Sequence, residues 1–333
     1  MTINQQTIAE QLGLSIGTVS MALRNSPQIA KQTRFQVHSL AEQLGYKLPV
    51  RRSNRAREGT GAIQQLSFLG RFAANNSFYG AVLVGAEREC QQHRINLHFS
   101  IINEITPRIV QQSTESDALL LVGSIAEPLV TQLQQLGRPI ALVDNSLPHL
   151  PIDQVLTENV GSVYRTVVWL HALGHRRIAY MCGEPDVPSF KDRLLGYRTA
   201  MSKLALPTIE LPFLGLQSSD TELALERWLP EQNKHGTTAL VVYNDNAAIT
   251  IIQSLQDCGV RVPEDLSVVG FDDVESARIV RPNLTTCHVQ REQLGALAVR
   301  LLVERAQEPE RATQSVVLHT TLVERGSVHA LPI

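Results

Sequence analysis

Apolar residues along this chain recur in two different rhythms. In the first forty-odd residues they fall at i, i+3 and i+4: Ile8, Ala9 and Leu12, then Val19, Ala22 and Leu23, then Val37, Leu40, Ala41 and Leu44. That spacing stacks side chains on one face of a helix, so three short helices are predicted around a small shared core. Asn4 and Ser15 can cap the first two, and Gly13 and Gly45 supply left-handed stops. Ser26-Pro27 closes the second helix. A tight Gly-Leu-Ser turn between the first two helices predicts a helix-turn-helix.

From Leu66 the rhythm changes to short apolar runs bounded by helical stretches. "LSFLG", "INLHFSI", "DALLLVG" and "PIALVDN" read as buried parallel strands, with Tyr79 to His93 and Glu127 to Leu136 as crossover helices. A second series begins near Asn159: "IAYMCG", "IELPFLG", "ALVVYN" and "LSVVGFD". Two successive βα series predict two doubly wound lobes, with a ligand site where the strands end. Polar residues collect at those ends: Asp144 and Asn145, Asn244 and Asp245, Asp272 and Asp273. Each can cap a helix, and each can hydrogen-bond a hydroxyl-rich ligand; their repetition at equivalent strand ends points to the ligand.

Composition narrows the picture. With 43% hydrophobic and 19% charged residues, the 333-residue chain can bury cores for two or three folding units. Cys90, Cys182, Cys258 and Cys287 form no CxxC pair, which predicts reduced thiols in a cytoplasm. No run reaches the roughly 18 apolar residues of a membrane span, and Met1 to Leu14 lack the pattern of an export signal. The net charge of −2 is unevenly distributed: residues 1–58 hold eight basic and three acidic residues, a surplus of +5, and the remainder carries −7. A basic head on an acidic body suits a polyphosphate partner. The ten histidines show no HExxH or metal-ligand spacing. Neither a GxSxG elbow nor a GxxxxGK[ST] loop is present, so no catalytic residue, metal or cofactor is expected.

The stretch "TIAEQLGLSIGTVSMALRNSPQIAKQTRFQVHSLAEQLGY" resembles the head of the lac repressor family of bacterial transcription regulators. The resemblance implies that the second helix enters the major groove, with Ile16, Gly17 and Met21 toward the bases and the hydroxyls of Ser15, Thr18 and Ser20 on phosphates. It adds Asn25 and Thr33 to the DNA contacts. Arginine is common in the family at the position of Met21, and asparagine at that of Arg24. Methionine cannot bond guanine in bidentate fashion, so readout there would be apolar, as against a thymine methyl. Met21 as a core residue is the alternative, although Val19, Ala22 and Leu23 already fill the inward stripe. Arg24 would restore a charged contact one turn along.

The following "KLPVRRSNRAREGTG" is basic and aperiodic. In the family it becomes a hinge helix whose leucine wedges into the minor groove; here Ala56 falls at that position. Arg51, Arg52, Arg55 and Arg57 suit phosphates or a narrow minor groove, and a flexible tether is the alternative. The body resembles the family's effector-binding core, similar to periplasmic sugar-binding proteins, through "NSFYGAVLVGAE", "LGHRRIAYMCG", "RLLGYRTAM", "YNDNAAITIIQSLQDCGVRVPEDLSVVGFDD" and "PNLTT". By resemblance Arg193, Asn244 and Asp272 contact an effector, with Phe78 and Tyr79 at the pocket wall; Asp144 and Asp245 join them as strand-end acids. Glu158 stands where the family has aspartate. A surface ion pair is the alternative role for Arg193.

The expected fold is therefore α/β, with a three-helix helix-turn-helix head (1–46), a basic linker (47–62) and a two-lobed core of doubly wound parallel sheets (63–333). The lobes are expected at about 63–158 plus 289–315 and 159–288 plus 316–333. The expected function is a cytoplasmic, homodimeric DNA-binding repressor controlled by a sugar-like effector between the lobes. A sugar-binding protein without a DNA role is the alternative, and it leaves the basic head unexplained.

Overall fold

A computed structural model of the chain describes residues 5–23, 29–44, 46, 63–71, 77–212 and 236–332. It divides into two compact units, Met1–Gly59 and Thr60–Ile333. The caps and stops expected at Asn4, Ser26-Pro27 and Gly45, and the whole linker, lie outside the described residues.

In the first unit, helices α1 (Gln5–Leu12), α2 (Ile16–Leu23) and α3 (Lys31–Gln43) enclose a core of Ile8, Ala9, Val19, Ala22, Leu23, Val37 and Ala41. Leu12, Leu40 and Leu44 pack on its rim. Gly13 adopts φ +64°, the left-handed conformation that ends α1, and Ser15 opens α2 by accepting from the Thr18 amide at 3.0 Å.

Among the described residues, the second unit holds two six-stranded sheets. The first lobe runs β1 (Gln65–Arg71), α4 (Ser77–His93), β2 (Asn96–Ile101), α5 (Pro107–Glu115), β3 (Ala118–Gly123), α6 (Glu127–Gln134), β4 (Ile140–Val143) and β5 (Asp153–Thr157). Along β3 the side chains alternate: Ala118, Leu120 and Val122 join the larger core, and Leu119 and Leu121 join a second one with Ile109 of α5 and Val130 of α6. A strand buried on both faces reads as one continuous apolar run, which is why "ALLLVG" was legible. The second lobe runs α7 (Asn159–Ala172), β6 (Ile178–Met181), α8 (Pro188–Lys203), β7 (Ile209–Leu211), β8 (Ala239–Val242), α9 (Asp245–Asp257), β9 (Ser267–Asp272) and β10 (Thr285–His288).

The chain then returns to the first lobe for α10 (Arg291–Gln307) and β11 (Ser315–Leu318), and ends in the second with β12 (Thr321–Val323). The sheet orders are β11-β5-β4-β3-β1-β2 and β12-β10-β9-β8-β6-β7. Every pairing is parallel except that of β12 with β10. Among the described residues the lobes are thus joined at three places: Glu158, residues 289–290 and residues 319–320. The expected third crossing at 315/316 moves to 319–320, because β11 pairs with β5 of the first lobe, Ser315 opposite Gln154. Buried Asp153 fixes that pairing, accepting from Arg305, Arg311 and the Gln314 amide.

Helices α4 and α10 cross with almost no separation. A Cβ on Gly85 would lie 1.9 Å from the Glu292 carbonyl oxygen, and one on Gly295 would lie 2.0 Å from that of Val82. Beyond the crossing, Arg300 of α10 donates twice to the buried Glu89 carboxylate of α4, at 2.8 and 2.9 Å. Among the described residues no helix is long and apolar enough to cross a membrane.

Candidate functional site

The head presents its second helix as a surface. Val19, Ala22 and Leu23 point inward, while Ile16 remains 50% exposed and Met21 half-buried. Gly17 is exposed, and a Cβ there would meet only Ser15 Oγ, at 3.6 Å, so a neighbouring molecule can approach the backbone closely. The Ser15 hydroxyl caps α2 and pairs with Thr18 Oγ1 at 2.8 Å. The exposed edge of α2 therefore carries hydroxyls at its N-terminus and apolar groups along it. The helix N-terminus favours anions, and the apolar groups can meet only the methyl and ring edges of a groove. Thr33 is half-buried on α3. Arg24, Asn25, Arg51, Arg52 and Arg55 lie outside the described residues.

In the core, the strand-end residues converge between the lobes. From the first lobe, Phe78 and Tyr79 open α4 in an edge-on pair with ring centroids 4.9 Å apart. The Tyr79 hydroxyl donates to Asp144 Oδ2 at 2.7 Å. Asp144 follows β4 at φ +55°, a left-handed turn that swings its carboxylate off the strand end.

From the second lobe comes Arg193, buried on α8 and held on every side. Its Nε donates to Asn159 Oδ1 at 2.9 Å and its Nη1 to the Tyr243 carbonyl at 2.5 Å. Its guanidinium lies 3.8 Å from the centre of the Phe271 ring. Nη2 stands 3.5 Å from Asp272 Oδ1, an ion-pair distance at which that buried oxygen accepts no hydrogen bond. Arg193 is therefore a buried, oriented cation and not a surface ion-pair partner. Asp272 itself sits at φ +118°, a conformation that L residues rarely adopt.

The electrostatics follow from burial. Burial pushes the Asp144 carboxyl above its ordinary range, with Arg193 and the Tyr79 hydrogen bond opposing. It pushes Asp272 and its neighbour Asp245 up as well; the charges of Asp245 and Asp144 add to the rise of Asp272, and those of Arg193 and Arg291 oppose it. Tyr79 is raised by burial and by the charge of Asp144. Two enclosed acids around one arginine leave the cleft with a surplus of negative charge or of bound protons.

The remaining predicted positions divide. Asn244 caps α9, its side chain accepting from the Ala247 amide at 2.9 Å. Asp245 is wholly enclosed, accepting from Thr286 Oγ1 at 2.6 Å and from the Val274 amide at 2.9 Å. Asn145 donates to the Ile125 carbonyl. In Asp273, burial alone would raise the carboxyl, but Arg325, His288 and Arg278 hold it below the ordinary range. Glu158 folds over the first turn of α7, bonding Arg165 at 2.6 and 3.1 Å and His319 at 3.1 Å. Only Gly161 leaves room for it, since a Cβ there would lie 1.9 Å from Glu158 Oε1. Glu158 thus links the first and third crossings, and Asn159, the next residue in "TEN", reaches Arg193 instead. Thr157, Ser189 and Asp192 also face the cleft, lining with Asp144 a cavity of about 190 Å³. The i, i+4 spacing of Ser189 and Arg193 was the available signal for the serine. Among the described residues no cluster could hold a metal ion.

Residues 6–48 match the bacterial regulatory proteins of the lacI family, and residues 167–328 match the periplasmic binding protein-like domain. The ribose operon repressor of Haemophilus influenzae is 29% identical over 332 residues, spanning 97% of this chain and 98% of its own. A lac repressor dimer bound to operator and the anti-inducer ONPF has a TM-score of 0.70 at 20% identity, over 99% of this chain and 100% of that one. A LacI family transcriptional regulator from Enterococcus faecium with bound ribose has a TM-score of 0.71 at 21% identity, over 81% of this chain and 100% of that one. At such identity these two structures establish the shared fold. The fold and head define a DNA-binding transcription regulator with a periplasmic-binding-protein-like core. The chain thus carries a lacI-family head domain and a periplasmic-binding-protein-like domain, and its relatives are repressors of the same layout.

Proposed function

We propose that the chain is a cytoplasmic, homodimeric repressor whose affinity for operator DNA is set by a sugar or sugar derivative bound between the lobes. The observation that carries this reading is the preorganised Arg193, fixed by Asn159, Tyr243 and Phe271 beside a buried Asp272 oxygen that accepts no hydrogen bond. A buried acceptor left unsatisfied costs about 1–3 kcal/mol, which a ligand hydroxyl would recover. The ribose bound to one structural neighbour and the operator bound by another, a dimer, support the same reading.

In this scheme Tyr79, Asp144, Arg193, Asn244 and Asp272 contact the effector and Phe78 backs the wall. Asp245 and Glu158 shape the second lobe and the hinge. Closure of the lobes about the three crossings changes the half-site spacing of a dimer's two heads. In each head Ile16, Gly17 and Met21 meet base edges and Ser15, Thr18, Ser20, Asn25 and Thr33 meet the backbone; Arg24 meets either, and Arg51, Arg52 and Arg55 follow in the linker.

Selection of duplexes from a randomised pool by the full chain tests the reading. A palindromic consensus is expected, and deletion of residues 1–58 abolishes retention. Exchange of Met21 for Arg changes the preferred base by about 1–3 kcal/mol at one position of each half-site. An unchanged consensus would remove Met21 from the reading surface, and failure to retain any duplex at low salt would remove the DNA-binding role.

A further inference from the structure

The cavity between the lobes carries information about the charge of its occupant. It is bounded by Asp144, Ser146 and Thr157 from the first lobe, by Glu158 at the first crossing and by Asn159, Ser189 and Asp192 from the second lobe, with Leu156, Val160 and Val317 as its apolar wall. Thus three carboxylates, three hydroxyls and an amide surround about 190 Å³, and none of these residues is basic; of the carboxylates, Glu158 is paired with Arg165 and His319. The nearby guanidinium of Arg193 is already held by Asn159, Tyr243 and Asp272.

Two buried polar atoms here have no hydrogen-bond partner. One is the Thr157 hydroxyl in the cavity wall, on a residue 5% exposed, and the other is Asp272 Oδ1 beside Arg193, on a residue 8% exposed. Buried polar atoms are nearly always paired, so each is missing a partner that the chain itself does not supply. Asp192, half-buried on α8, has a carboxyl raised by burial, with the charge of Arg193 opposing, so a further negative charge here would meet repulsion in a partly dry site.

We infer that the effector is a small, donor-rich ring compound without an anionic group, either a neutral monosaccharide or its amino derivative. Asp144 and Asp192, which line the cavity, act as a charge filter that rejects sugar acids and sugar phosphates. This deepens the proposed sugar reading and rests on it. The volume is below the roughly 300–1,000 Å³ of sites for drug-sized ligands, which favours a single ring over a disaccharide. Rejection comes from unpaired like charge, which discriminates more strongly than an added or missing contact.

The test uses the full chain in thermal-shift and calorimetric titrations against sets of matched configuration. These comprise neutral pentoses and hexoses, the 2-amino hexoses, the hexuronates and the 5- or 6-phosphates. A neutral or amino sugar is expected to bind, with its acid and phosphate counterparts at least roughly tenfold weaker. A stronger amino arm locates an ammonium among the carboxylates; a stronger neutral arm locates hydroxyl donors there. Asp192→Asn, a half-exposed position that tolerates an amide, reduces the discrimination ratio. Any uronate or phosphate that binds as tightly as its neutral counterpart overturns the filter, and so does an unchanged ratio in Asp192→Asn. If every sugar is silent and a nucleoside binds, the sugar reading fails by itself, and the nucleoside against its monophosphate then decides the filter by the same ratio. Silence in all arms overturns the assignment of this cavity as the effector seat.

Discussion

Single residues at the cleft link function to pH. Asp272 is enclosed, so its folded-state carboxyl is raised by burial above the ordinary value of about 3.9. The folded state therefore holds a proton that the unfolded chain releases. The stabilisation this gives is complete in acid and is lost as pH rises through the raised value. Asp144 and Asp245 act in the same direction. The lowered carboxyls of Glu89, Glu158 and Asp273 act oppositely, but only below the ordinary carboxylate range. The ligand-free protein is thus expected to lose melting temperature between about pH 5 and about pH 8, and Asp272→Asn to flatten that slope. Calorimetric scans of both proteins across that range check it, and equal slopes would show that Asp272 does not hold the proton. A ligand hydroxyl donating to Asp272 prefers the ionised carboxylate, so effector affinity rises with pH over the same window.

At the scale of elements, the crossing of α4 and α10 depends on two hydrogens. Each Cβ added there would meet a backbone carbonyl on the partner helix, which cannot rotate away as a side chain could. Gly295→Ala is expected to cost about 1–3 kcal/mol by overpacking, read as a shift in urea midpoint with little change in slope. A midpoint unchanged by that substitution would mean that the two helices separate at no cost. Nothing in the sequence marks this crossing, because Gly85 and Gly295 are 210 positions apart and each reads locally as an ordinary weak spot in a helix. The same limit explains which strands were legible. "ALLLVG" and "SVVGFD" are buried on both faces and read as continuous runs. "DQVLT" and "TTCH" are equally strands, but they hide polar atoms inside: Asp153 between Arg305 and Arg311, and Thr286 against Asp245. Their apolar signal was too short to register, and the partners that make their polar residues tolerable are far away in sequence. The sequence pointed to Arg193, and its burial among Asn159, Tyr243 and Asp272 is what the structure adds. At Glu158, where glutamate stands in place of the pattern's aspartate, the side chain lines the cavity and also bonds Arg165 and His319, the latter delivered by the third crossing, a pairing that nothing local in the sequence announces.

At the scale of the whole molecule, that redirected side chain becomes a means of separating binding from its consequence. Glu158 stands at the first crossing between lobes, and Arg165 holds its carboxyl below the ordinary range, helped by His319 and Ser162. Ser162 is in turn bonded to Thr320 at 2.7 Å, so the first and third crossings form one clasp. Any effector that alters operator affinity by a given factor must have its own affinity altered by operator by the same factor, commonly about 5- to 150-fold. A residue touching the effector changes its affinity with or without DNA, whereas one that sets the balance of lobe orientations mainly changes the shared factor. Glu158→Ala is therefore expected to shift the operator-dependent ratio of effector affinities several-fold, with a smaller change in affinity for the DNA-free protein. Titrating effector into the free protein and into its operator complex measures both quantities. Loss of affinity in the free protein with an unaltered ratio would return Glu158 to the effector's contacts, where the aspartate of the family pattern stands.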